Sequence, residues 1–92
     1  MQIKDKIAIV TGASGIGLVL AWLLSRKGAT VILAARSADK LKQLEQEIPG
    51  SLAIATDMLK LEDIRNLILQ AREKFGRINI LVNNAVKAFA RL

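Results

Sequence analysis

Ile7-Ala8-Ile9-Val10-Thr11-Gly12-Ala13-Ser14-Gly15-Ile16-Gly17 is the stretch on which the reading of this chain turns. Its first five residues lack polar alternation and are too few for a helix of their own, so they predict a strand buried on both faces. The glycines that follow predict a tight turn. From Ile16 to Leu24 every residue but Gly17 is apolar, and Arg26, Lys27 and Gly28 come next. A helix is therefore predicted from near Ile16 to about Lys27. Gly28 closes it, and the two cations complement the helix dipole.

The same grammar repeats along the chain. Thr30–Ala35 predicts a second strand, and Ser37 can cap a helix whose apolar positions Leu41, Leu44 and Ile48 recur at three and four before Pro49-Gly50 ends it. Ser51–Thr56 predicts a third strand. Leu61–Phe75 predicts a helix with Ile64, Leu67, Ile68, Ala71 and Phe75 on one stripe, closed by Gly76, and Ile78–Asn83 predicts a fourth strand. The order is β-α-β-α-β-α-β with nearly continuous apolar strands. This predicts an α/β fold, half of a doubly wound Rossmann arrangement: four parallel strands in the order 3-2-1-4, helices on both faces, and residues 1–92 as one partial domain.

Composition agrees and narrows the chemistry. The apolar share is 52% but the aromatic share only 3%, which requires an aliphatic core of the kind covered parallel strands make. The 92 residues contain no cysteine and no histidine, which excludes from this chain acting alone a thiolate zinc site, a Ser-His-Asp triad and Cys-His nucleophilic chemistry. The longest apolar run is less than half of the roughly 20 residues a membrane span needs, and the amino terminus does not read as a signal peptide. The expected location is cytoplasmic, with no membrane partner. The net charge of +6 is scattered over helix faces and loops without interleaved aromatics, so no nucleic-acid partner is expected.

A glycine turn between a first strand and first helix fits nucleotide pyrophosphate, because absent side chains admit the phosphates to helix-start amides. It also fits a purely structural turn. Here Thr11-Gly-Ala-Ser-Gly-Ile-Gly17, Gly28-Ala-Thr-Val31, Asp57 after the third strand and Asn83-Asn-Ala85 at the end of the fourth fall in the order and at nearly the separations of one family. Over residues 5 to about 86 the chain resembles the short-chain dehydrogenase/reductases, NAD(P)-dependent oxidoreductases with a Rossmann-type domain.

The resemblance implies that Gly12, Ser14, Gly15, Ile16 and Gly17 line the pyrophosphate and adenosine ribose of a dinucleotide. Asp57 would accept from the adenine amino group with the Met58 amide beside it, and Asn84 and Ala85 would lie along the nicotinamide-side ribose. Asn83 would tie the fourth strand to its neighbours. Arg36 lies where the family reads the ribose 2′ position, and Ala35 stands where NAD-preferring members carry Asp, which implies NADP(H), with NAD(H) the lesser partner. Each residue also has a plainer reading: a solvated arginine, a turn or capping aspartate, a polar Asn-Asn turn.

Against the family pattern, the loop between Gly12 and Gly15 is one residue short, and Val86 stands where a glycine is usual. The family's catalytic Ser and Tyr-x-x-x-Lys helix have no counterpart, there being no tyrosine. The expectation is a truncated member that holds the cofactor and does not catalyse alone, with no catalytic residue assigned. The alternative is a non-catalytic half-domain that self-associates or pairs with a complementary half. Two surfaces would make a homodimer or other homo-oligomer: the edge of the fourth strand, and the first helix, whose Leu18, Val19, Leu20, Trp22, Leu23 and Leu24 exceed what one sheet-facing stripe can cover. Leu20 and Trp22 could instead pack against Lys87–Leu92.

Overall fold

The computed structural model of the chain describes residues 2–12 and 16–83, with the backbone alone for Ile16 and Ala38. Among them the elements are β1 (Ile7–Thr11), α1 (Ile16–Arg26), β2 (Thr30–Ala35), α2 (Ala38–Glu47), β3 (Leu52–Ala55), α3 (Leu61–Phe75) and β4 (Ile80–Asn83). The strands form one sheet in the order β3-β2-β1-β4. Every pairing is parallel: Val10 lies opposite Leu33 on one side and Val82 on the other, and Leu33 lies opposite Ala53. The predicted order and strand direction are those observed.

Two apolar layers hold the helices to the sheet. On one face Val10, Val31 and Leu33 pack with Ala21 of α1 and with Leu41 and Leu44 of α2. On the other Ile7, Ile9, Ile32 and Ile54 pack with Leu67 and Ala71 of α3. The segregation follows from strand alternation, which sends neighbours such as Ile9 and Val10 to opposite faces. Side chains that are aliphatic and few-rotamer fill both layers, as the near absence of aromatics requires.

Helix boundaries follow local chemistry. Ser37 caps α2, its hydroxyl accepting the Lys40 N–H at 3.3 Å. Gly76 ends α3 in the left-handed region, φ 82°, and its N–H donates to the Arg72 carbonyl at 2.8 Å. The helix α1 is wrapped in apolar residues as expected. Only part of that surface finds a partner, for Val19, Trp22 and Leu23 remain exposed while Leu18 and Leu24 pack against the core. The Arg26 guanidinium lies 4.8 Å from the centre of the Trp22 ring, covering it with a cation–π contact. The alternative cover, Lys87–Leu92, lies outside the described residues.

The sheet departs from expectation at its edges. Burial on both faces holds throughout β1 and nearly so for β2, whereas β4 alternates between half-buried and exposed residues. Leu81 pairs with fully buried Ile9 and so shares its face, yet it is 62% exposed. Strand β4 also begins two residues later than the predicted Ile78. There Asn79 extends the pairing by another route: its N–H donates to the Ile7 carbonyl and its side-chain oxygen accepts the Ile7 N–H, both at 2.9 Å. At the opposite edge the Glu45 carboxylate of α2 accepts one N–H of β3, that of Ala53, at 2.6 Å.

Leu33 is fully buried between β1 and β3. Leu33→Ala is expected to cost about 3–4 kcal/mol, the sum of lost transfer energy and a cavity that parallel neighbours cannot close. Urea unfolding followed by circular dichroism measures it.

Candidate functional site

Parallel pairing brings the carboxyl ends of all four strands to one rim. Thr11 ends β1 opposite Ala34 and Asn83, and Ala35 near the end of β2 lies opposite Ala55. The ladder runs on past the strands: Gly12 donates its N–H to the Ala34 carbonyl and Thr56 donates its own to the Ala35 carbonyl, both at 2.8 Å. Residues immediately after each strand are thus held in place although they belong to loops.

At the centre of the rim Thr11 is fully buried, and its hydroxyl donates to the Asn83 side-chain oxygen at 3.1 Å. The bond ties β1 to β4 where both strands end. Gly12 then turns the chain with φ +82°, a conformation in which a side chain is strained. The Gly12 N–H is engaged with the Ala34 carbonyl and so is taken up by the ladder. The helix α1 starts at Ile16 with no acidic residue in its first turn, and Gly17 is buried in that turn.

Beyond β2 and β3 the rim opens into a cleft of about 270 Å³ lined by Arg36, Ala55, Thr56, Asp57 and Asp63. Such a volume approaches the lower bound of ligand pockets, roughly 300 Å³, and suits one end of an extended ligand. Arg36 is exposed, while Asp57 is half-buried at the start of the turn into α3. There the Asp57 carboxylate accepts the Leu59 N–H at 2.9 Å, and its own N–H donates to Asp63 at 2.8 Å. Met58 follows, half-buried.

The structure therefore brings two of the residues singled out from sequence, Arg36 and Asp57, into one cleft, on the rim that also carries Gly12, Ile16 and Gly17. Ser14, Gly15, Asn84 and Ala85 lie outside the described residues. Asp63 is the cleft residue that the sequence reading passed over. It is the third residue of α3, where a carboxylate completes a capping box when Ser or Thr stands at the cap. Here the cap is Lys60, with no side-chain hydrogen bond, and the pattern is invisible.

Residues 6–90 match the family model described as short chain dehydrogenase. An uncharacterized oxidoreductase of Staphylococcus aureus strain MRSA252 is 42% identical over 86 residues, covering 90% of this chain and 37% of the relative. The crystal structure of a short chain dehydrogenase from Bacillus anthracis superposes with a TM-score of 0.85 at 39% identity, over 91% of this chain and 36% of that one. The 3-ketoacyl-(acyl-carrier-protein) reductase of Brucella melitensis, complexed with NADH, gives 0.82 at 33% identity, over 86% and 34%. An actinorhodin polyketide ketoreductase variant with NADPH gives 0.83 at 32% identity, over 87% and 33%. The chain spans little more than a third of the length of the curated relatives it matches. Among the described residues no helix is long and apolar enough to cross a membrane.

Gly12→Ala forces a Cβ onto a left-handed backbone at the centre of the rim. The expected loss is about 1–2 kcal/mol of stability in urea with an unchanged m-value, since the strain is local and the surface exposed on unfolding stays the same.

Proposed function

The chain belongs to the short chain dehydrogenase family, and from that premise we propose that it binds a nicotinamide dinucleotide along the carboxyl rim of its sheet, as the cofactor-holding part of an oxidoreductase. One observation carries this reading: Arg36 and Asp57, from the ends of different strands, line a single cleft on the rim that holds the Gly12 turn. In this reading Gly12, Ser14, Gly15, Ile16 and Gly17 receive the pyrophosphate and adenosine ribose. Asp57 and the Met58 amide receive the adenine, and Asn84 and Ala85 the nicotinamide-side ribose.

Arg36 favours NADP(H) over NAD(H), because a guanidinium pairs with a 2′-phosphate while Ala35 places no carboxylate there to repel it or to bind a free ribose. The solved neighbours include one complex with NADH and one with NADPH, so the preference rests on these two residues of this chain. A dinucleotide held there would supply the chemistry of hydride transfer. The residues here hold and orient it, and protonation of a substrate oxygen falls to groups beyond a set that contains no tyrosine, histidine or cysteine.

A second reading, a non-catalytic half-domain that self-associates or takes up a complementary half, is favoured by one feature. β4 ends the described sheet with Leu81 62% exposed, while at the other edge Glu45 occupies one N–H of β3. The exposed Val19, Trp22 and Leu23 of α1 offer a second surface for a homodimer.

Two measurements separate the readings. Titration followed by dinucleotide fluorescence is expected to show saturable NADPH binding, weakened about tenfold or more by Arg36→Ala, with NADH binding changed by no more than about twofold. Light scattering with Leu81→Lys, a change at an exposed position that leaves the fold intact, is expected to show monomer if β4 is the contact, whereas unaltered dimer with no dinucleotide binding at millimolar concentration sinks the first reading and moves the contact to α1.

A further inference from the structure

The turn that carries Asp57 is held from behind by a second carboxylate. Asp57 leaves β3 with its N–H donated to Asp63 Oδ2 at 2.8 Å, its carbonyl accepting the Lys60 N–H at 2.9 Å and its Oδ1 accepting the Leu59 N–H at 2.9 Å. The last two bonds shape the turn internally. The first ties Asp57 itself to α3, to which the far end of the turn is joined by the Lys60 carbonyl accepting the Asp63 and Ile64 N–H groups, and the helix packs on the sheet through Leu67 and Ala71. Since Lys60 offers the helix start no side-chain cap, the carboxylate of Asp63 is free to reach back beyond the cap to Asp57. Near the helix amino end its charge is favoured by the dipole.

Asp63 also lines the cleft it helps to build. The lining sets one guanidinium, Arg36, against two carboxylates, Asp57 and Asp63. A 2′-phosphate would bring further negative charge into that company, whereas a free ribose brings none. We propose that Asp63 is a positioning and selectivity residue of the dinucleotide site: its acceptor oxygen fixes the Asp57 turn, and its charge opposes the 2′-phosphate that Arg36 attracts. The proposal rests on the dinucleotide reading above. The two roles separate chemically, because Asn keeps an acceptor oxygen and loses the charge while Ala loses both.

The test combines NADPH and NADH titrations with amide hydrogen exchange at Asp57 in the protein without dinucleotide, for Asp63→Asn and Asp63→Ala. Asp63→Asn is expected to keep Asp57 protected and to raise the NADPH-to-NADH affinity ratio about 3- to 10-fold, a gain that shrinks as salt is added. Asp63→Ala is expected to speed Asp57 exchange about tenfold or more and to weaken both dinucleotides, since the turn is no longer held. An unchanged ratio in the Asn variant overturns the selectivity role. Unchanged Asp57 exchange in the Ala variant overturns the positioning role, and if that variant fails to fold, Asp63→Ser, whose shorter side chain does not reach Asp57, takes its place. Failure of the unaltered protein to bind either dinucleotide overturns the dinucleotide reading and the selectivity role with it, while the exchange measurement still decides the turn.

Discussion

The structure depends on the pairing of β1 with two parallel neighbours at once. A strand flanked on both sides pairs its backbone with two neighbours, and one covered on both faces favours apolar side chains: Ile7 to Val10 are buried throughout, and the one polar side chain, Thr11, is buried with its hydroxyl bonded to Asn83. Because both partners run in the same direction as β1, their carboxyl ends finish together. The rim where Gly12, Arg36 and Asp57 meet is a geometric consequence of strand direction. No contact among those three residues is needed to assemble it.

The sheet's two edges are treated differently, and the difference is physical. At β3 a glutamate from the covering helix accepts an outward N–H, which removes one rung from the template an incoming strand would use. At β4 the backbone edge ends the described sheet, and Leu81 is exposed on the face that it shares with Ile9. A parallel αβ unit covers a strand only where the next crossover places a helix above it. β4 has neighbours on one side alone among the described residues.

Side-chain hydrogen bonds do positioning work at both ends of the sheet. Thr11 links β1 to β4 through Asn83, Asn79 prolongs the same pairing at the other end, and Asp63 anchors the turn after β3. Loops held in this way can present a binding surface without the entropy cost of ordering them on binding.

The fold was legible in the sequence because its signals are local: glycine ends, helical stripes and unbroken apolar runs each predict one element, and element order then predicts parallel topology. Gly12, Arg36 and Asp57 were legible through motif and position, and Ser37 through cap chemistry. Asp63, Asn79 and Glu45 were not, since each acts on a residue whose partner is set by register or turn geometry, with the bond from Asn79 to Ile7 spanning 72 positions. The exposure of Leu81 was hidden for a similar reason, its apolar side chain being the same in sequence whether or not a helix lies over it. Sequence alone determined which elements form and which residues follow each strand, because those follow from nearest neighbours along the chain. Only tertiary structure decided which of those residues share a cleft and which edge stays open, because these depend on where helices come to rest on the sheet.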